Sequence, residues 1–279
     1  MRQIHVDSIV STVKELCVDA CVNLGDDVKA LLHKAKQNEV SPFGKDILDQ
    51  LLKNVDIAKK EQIPMCQDTG MAVFFLELGQ DVHIVGGDLK KAIDEGVRQG
   101  YRDGYLRKSV LDPLTRINTN DNTPAILHTE IVPGDKLKIS FAPKGFGSEN
   151  MSAVKMLKPS DGIEGIKAFV VDTVERAGAN PCPPIILGIG IGGTMEKAAL
   201  LAKKALLRDA GRKSFDPYIS ELEDELLDLI NKTGIGPQGL GGVNTALAVH
   251  ILTYPTHIAG LPVAVNVQCH AARHKEAIL

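Results

Sequence analysis

Apolar residues return at helical spacing three times in the first sixty positions: through Ile9, Val13, Leu16 and Ala20, then Val28, Leu31 and Leu32, then Ile47, Leu48, Leu51, Leu52 and Val55. Each row makes one apolar stripe, so residues 1–60 are predicted as a helical layer. Ser41 followed by Pro42 predicts the start of the third helix, because a serine hydroxyl can accept from a free amide and proline suits the first turn. Beyond residue 60 short apolar runs take over. AVFFLEL reads as a buried strand, and AILHTEIV and KLKISFAP read as a hairpin joined by Pro133-Gly134-Asp135. ILGIGIGGT, ALAVHILTY and VAVNVQ complete the strand-like runs. Between them lie helical patterns: LKKAIDEGVRQGYRDG capped by Asp88, DGIEGIKAFVVDTVERAG stopped by Gly178, MEKAALLAKKALLRDAG, and SELEDELLDLINKTG. The predicted fold class is α/β (mixed α+β): one domain over 1–279, with the helical layer packed on a mixed sheet with flanking helices in the core, 61–279.

Composition narrows the partners. With 44% hydrophobic residues and a formal charge of -3, the chain fills a core and shows no nucleic-acid or membrane-surface signature. The start, MRQIHVDSIVSTVKEL, lacks a signal-peptide pattern, and no apolar run approaches the roughly 20 residues that span a bilayer. The expected setting is cytoplasmic, with a small molecule or another protein as partner.

Five cysteines do not suit a disulfide framework in a reducing compartment. Cys17 and Cys21, four apart on an amphipathic helix, are expected in the core. Cys66, Cys182 and Cys269 stand at junctions between elements, beside Pro64 and Gly70, between Pro181 and Pro183, and before His270. Paired C-x-x-C zinc ligands are lacking. Three isolated thiolates suit a [4Fe–4S] cluster that keeps one iron open, a Lewis acid able to polarise a hydroxyl group. Spacing alone leaves that reading beside three unrelated cysteines.

Gly188, Gly190 and Gly193 satisfy G-x-G-x-x-G between a strand and a helix, a dinucleotide-binding spacing. The acidic residue at the right distance, Asp209, ends a helix and not a second strand. Close packing of the strand, or approach of a ligand to amides before Met195, explains these glycines as well.

IPMCQDTG, KGFGSENMS, PCPPIILGIGIGGT and THIAGLPVAVNVQCHAARH, in that order from about Ile63 to His274, together closely resemble the class I (iron–sulfur) fumarate hydratase and L-tartrate dehydratase family. The resemblance implies a [4Fe–4S] cluster on Cys66, Cys182 and Cys269. It also implies that Gln67 and Asp68 contact substrate, with Asp68 catalytic beside the hydroxyl group, and that His257 contacts a substrate carboxylate. Asp68 has a second possible role in an Asx turn, and His257 one as a loop histidine bonded to the backbone. Ser148, Glu149 and Asn150 belong to the family's loop near the cluster. His270, Arg273 and His274 are read either as hydrogen-bond donors to cluster sulfurs or as a solvated chain end.

Single-chain family members continue into a second domain, whereas this sequence stops at Leu279. The resemblance is therefore to the α subunit of the two-subunit form. It implies an α2β2 assembly whose β subunit supplies further substrate-binding residues and the base at carbon. The implied reaction is reversible hydration of fumarate to L-malate, with L-tartrate to oxaloacetate as the alternative. Two other classes stay in play: a nucleotide-binding oxidoreductase, and a protein that stores or senses a cluster without turnover. The Gln67-Asp68 pair speaks against the last, because storage does not need it.

Overall fold

The computed structural model describes residues 2–279. In chain order the elements are β1 (Arg2–His5), α1 (Val6–Val22), α2 (Asp26–Asn38), α3 (Pro42–Glu61), β2 (Met71–Gly79), β3 (Val82–Val85), α4 (Leu89–Asp103), β4 (Ile126–Val132), β5 (Leu137–Lys144), α5 (Phe146–Glu149), β6 (Ala153–Leu157), α6 (Gly162–Ala177), β7 (Ile185–Gly192), α7 (Met195–Ala205), α8 (Pro217–Asn231), β8 (Ala246–Tyr254), β9 (Leu261–Gln268) and β10 (Lys275–Ile278). Helices and mixed sheets together make the predicted mixed α/β class. Among the described residues no helix is long and apolar enough to cross a membrane.

The local signals act as expected. Ser41 Oγ accepts from Gly44 N at 3.1 Å, opening α3, and Asp88 accepts from Lys91 N at 2.8 Å, opening α4. Gly178 follows α6 at φ +53, where glycine is least strained.

The chain divides into two compact units. The first comprises Met1–Leu24, Val55–Gly145 and Arg273–Leu279; the second comprises Gly25–Asn54 and Phe146–Ala272. In the first, the sheet order is β10-β5-β2-β4. The expected hairpin of β4 and β5 does not form, because β2 lies between them, antiparallel to β5 and parallel to β4. Burial explains the order. β2 buries Val73, Phe74, Phe75 and Leu76 and so takes a central place, whereas β4 leaves Ile126 and Ile131 exposed at the edge. The Pro133-Gly134-Asp135 turn receives the end of β2 instead: Gln80 N donates to Val132 O and Asp81 N to Gly134 O, both at 2.9 Å. Cys17 and Cys21 are buried in this unit's core with Phe74, Phe141 and Tyr101. The segment after His274 is not a solvated end, since β10 pairs antiparallel with β5.

In the second unit the order is β6-β9-β7-β8. Side chains of α6 and α8 pack with Leu187, Ile189, Val265 and Val267 in one core. Ala198 and Ala202 of α7 pack with Ala264. The glycine run makes the α7 contact possible: a Cβ on Gly188 would lie 2.0 Å from Ala202 O, and one on Gly190 2.0 Å from Ala198 O. Two glycines of the nucleotide-like spacing are thus committed to helix–strand packing.

Candidate active site

The loop between α3 and β2 carries Cys66, Gln67 and Asp68. Asp68 N donates to Cys66 Sγ at 3.4 Å, and Cys66 Sγ lies 3.8 Å from Gln67 Oε1. Asp68 Oδ1 accepts from Gly70 N at 3.0 Å, the Asx turn the sequence suggests. Gly70 has φ +75, and a Cβ there would meet the Lys144 backbone at 2.6 Å. The other carboxylate oxygen, Asp68 Oδ2, lies 3.1 Å from the place a Cβ on Gly145 would take, so a side chain at Gly145 would crowd the carboxylate.

Buried side chains hold this loop by its carbonyls. Arg273 Nη2 donates to Asp68 O at 2.8 Å. The Tyr101 hydroxyl reaches Thr69 O at 2.9 Å and Gly70 O at 3.1 Å, and Asn122 Nδ2 donates to Gly70 O at 3.2 Å. Burial pushes the Tyr101 phenol well above its ordinary range, with the Cys17 and Cys21 thiols adding to the effect, so it keeps the proton it donates. Burial likewise raises Cys21, although the Arg273 guanidinium beside it pulls the other way. Cys17 is raised well above its ordinary range by burial and by Cys21. Both stay thiols packed in the core, which separates them chemically from the loop cysteines. Lys144 is a further buried cation of this unit, its Nζ donating to Gly145 O at 3.3 Å.

In the second unit, Cys182 precedes β7 and Cys269 follows β9, which run antiparallel, so both stand at the same end of the sheet. Their loops touch: the His270 ring nitrogen Nδ1 lies 3.0 Å from Cys182 O, and His270 N donates to the same carbonyl at 3.4 Å. Gln268, the last residue of β9, accepts from Ser148 Oγ at 3.4 Å. Glu149 accepts from Lys203 Nζ at 2.5 Å and Asn266 Nδ2 at 3.0 Å, so its carboxylate supports the loop–sheet junction.

His257 stands elsewhere. Its loop follows β8 and docks by Thr256 Oγ1 on Gly193 O at 2.9 Å, at the far end of β7 from Cys182. The eight residues of β7, at about 3.3 Å each, put roughly 26 Å between the two ends. The exposed His257 accepts from Ala259 N through Nδ1 at 3.2 Å, which assigns its hydrogen to Nε2 when the ring is neutral. The structure thus places Cys66, Gln67 and Asp68 in one loop and the Cys182 and Cys269 loops side by side, and it separates His257 from the latter pair.

The donor set fits an iron–sulfur cluster chemically. Cys66 and Cys269 are half-buried and Cys182 is exposed, all three as free thiols on loops, and Cys66 Sγ receives a hydrogen bond from the Asp68 amide, as cluster-ligating sulfurs do. Sequence reasoning missed Tyr101, Asn122 and Gln238. Tyrosine and asparagine inside ordinary helix and loop patterns carry no signal of which distant carbonyl they will serve.

The family model for fumarate hydratase (fumerase) matches residues 10–278. The chain belongs to the fumarate hydratase family. Its relatives agree: a Methanocaldococcus jannaschii protein provisionally named L(+)-tartrate dehydratase subunit alpha is 46% identical over 273 residues, 95% of each chain. The L(+)-tartrate dehydratase subunits alpha of Escherichia coli strain UTI89 and of Shigella sonnei are each 32% identical over 276 residues, covering 98% of this chain and 91% of theirs. Membership of the fumarate hydratase family makes the chain part of a hydro-lyase.

Proposed function

We propose that this chain is the α subunit of an iron–sulfur hydro-lyase that removes or adds water on a four-carbon dicarboxylic acid, together with a separate β subunit in an α2β2 assembly in the cytoplasm. The supporting observation is the loop at Cys66, where a thiol and a carboxylate two residues apart are locked by Arg273, Tyr101 and the Gly70 amide. The names of the relatives favour L(+)-tartrate as substrate, giving oxaloacetate. The family's name supports the second reading, L-malate to fumarate.

Cys66, Cys182 and Cys269 would hold a [4Fe–4S] cluster. Three protein ligands leave one iron open, and when bound it supplies Lewis acidity toward a substrate hydroxyl and carboxylate. Asp68 does the proton work on the oxygen side: Oδ1 is held by the Gly70 amide, and Oδ2 gives a proton to the departing hydroxyl so that it leaves as water. In hydration the same oxygen takes that proton back. Gln67, next in the chain, orients the substrate by amide hydrogen bonds. The proton on the neighbouring carbon goes to a base on the β subunit. With malate the product is fumarate; with tartrate it is an enol that tautomerises to oxaloacetate. His257, exposed on the loop after β8, would contact a substrate carboxylate through Nε2 in the assembled enzyme.

The test is electron paramagnetic resonance on the anaerobically reconstituted chain after mild oxidation, wild type against Cys66→Ser. A [3Fe–4S]-type signal lost in the variant supports the reading; a chain that takes up no iron and sulfide sinks it. Turnover of L-tartrate against L-malate, measured with the β subunit added, decides between the substrates.

A further inference from the structure

The second glycine-rich loop, GIGPQGLGGVNT, carries a residue out of character with its backbone. Gly236, Gly239, Gly241 and Gly242 all have positive φ, between +68 and +137. Gln238 stands among them at φ +53, a conformation that disfavours a side-chain-bearing residue by about 1–2 kcal/mol relative to glycine. A glutamine in such a place points to a use for its side chain.

That use is visible in its bonds. Gln238 N donates to Pro183 O at 2.7 Å and Gln238 Nε2 donates to the same carbonyl at 2.8 Å. Nε2 also lies 3.3 Å from His270 Nδ1. Two main-chain carbonyls decide the hydrogen positions, because a carbonyl can only accept. Cys182 O, 3.0 Å from His270 Nδ1, requires a hydrogen on that nitrogen, and Pro183 O requires the amide, not the oxygen, of Gln238 to face it. The consecutive carbonyls of Cys182 and Pro183 are thus taken by His270, the neighbour of Cys269, and by Gln238; Gln238 Nε2 and His270 Nδ1, both donors, do not bond to each other but converge on these two adjacent carbonyls. The loop behind Gln238 is itself anchored: buried Glu39 accepts from Val243 N at 3.1 Å and from Asn244 Nδ2 at 2.7 Å.

We propose that Gln238 is a positioning residue that fixes the Cys182 loop against the Cys269–His270 loop, and so sets the spacing of two of the three thiols that receive the cluster. This rests on the cluster reading given above. Gln238 acts through the Pro183 carbonyl and so on the Cys182 carbonyl beside it, which receives the His270 ring hydrogen.

The full-length chain tests this in two states, as wild type, Gln238→Gly and Gln238→Asn. Glycine keeps the backbone bond to Pro183 O and suits φ +53, so the fold is retained while the side chain is lost. Asparagine also tolerates that φ but is one methylene too short to reach. In the cluster-free protein, nitrogen-15 shifts of His270 at a pH where the ring is neutral show one tautomer in wild type, with hydrogen on Nδ1, and averaged values in both variants, because the Cys182 carbonyl that holds this hydrogen is no longer fixed through Pro183. After reconstitution with iron and sulfide, visible absorbance under an iron chelator decays about tenfold faster in both variants. Unchanged His270 shifts together with wild-type decay overturn the role of Gln238 and leave the cluster reading standing. A wild-type chain that takes up no iron and sulfide overturns the cluster reading, and this role with it. Should Gln238→Gly fail to fold, Gln238→Asn carries the same comparison.

Discussion

The guanidinium of Arg273 donates through Nη2 to the main-chain carbonyl of Asp68 at 2.8 Å, from a side chain only 2% exposed. Arg273 lies four positions after Cys269 in sequence, yet its bond serves the loop of Cys66 and Asp68. A buried cation that donates to this carbonyl is a strong holder, since a charged donor contributes more than a neutral one. Arg273→Met is expected to lower stability by about 2 kcal/mol and to reduce turnover more steeply than Michaelis binding, because the carboxylate at Asp68 loses its fixed direction. Urea unfolding and steady-state kinetics with the β subunit check this. Wild-type kcat in a folded variant would contradict it.

Tyr101 supplies a cleaner probe of the same loop. Phenylalanine keeps the ring and its packing and removes only the hydroxyl that serves Thr69 O and Gly70 O. Gly70 O retains Asn122, so the orphaned group is Thr69 O. Tyr101→Phe should cost about 1–3 kcal/mol in urea unfolding, the penalty for a buried unpaired carbonyl. A difference near zero would mean that water replaces the hydroxyl.

Glu39 gives a pH prediction with a definite sign. Burial pushes its carboxyl up, but hydrogen bonds from the Asn244 side chain and the Ser41, Val243 and Val40 amides outweigh this and hold it below the ordinary carboxylate value of 4.5. A depressed folded value contributes stability above the unfolded pKa, and that contribution is lost as pH falls through the folded one. Glu39→Gln should therefore be less stable than wild type near pH 7, by about 2 kcal/mol, and the gap should narrow as pH drops below about 4. Denaturant midpoints at the two pH values measure it; a gap that widens in acid rules the assignment out.

Gly190 distinguishes packing from nucleotide binding. Alanine at this position drives a methyl into the Ala198 carbonyl, 2.0 Å away, and should destabilise the chain by about 3 kcal/mol or prevent folding. No NADH fluorescence change is expected on titrating the wild-type chain. Saturable NADH binding would revive the oxidoreductase reading.

Local signals were legible where the physics is local. The stripe through Ile9, Val13, Leu16 and Ala20 set α1, Ser41 and Asp88 opened their helices by taking amides nearby, and the apolar run from Val73 to Leu76 made a buried strand. Motif order identified the family because four separated segments agree. Partner choice among strands was not legible: β4 and β5 are adjacent in sequence with a turn between them, but the apolar strand β2 inserts between them and leaves β4 at the edge, a comparison of burial that a turn motif does not contain.

The same division holds at the site. Sequence by itself singled out the candidates for chemistry, because thiols at Cys66, Cys182 and Cys269 and a carboxylate at Asp68 are chemical types that pattern can reveal. Only the tertiary structure decided what holds them: Arg273, Tyr101 and Asn122 on one loop, Gln238 and His270 on another, and His257 placed at the opposite strand end. The reason is that a hydrogen bond depends on where a carbonyl points after folding, and contacts such as Asp68 with Arg273 join positions far apart in the chain, whose meeting no local pattern encodes.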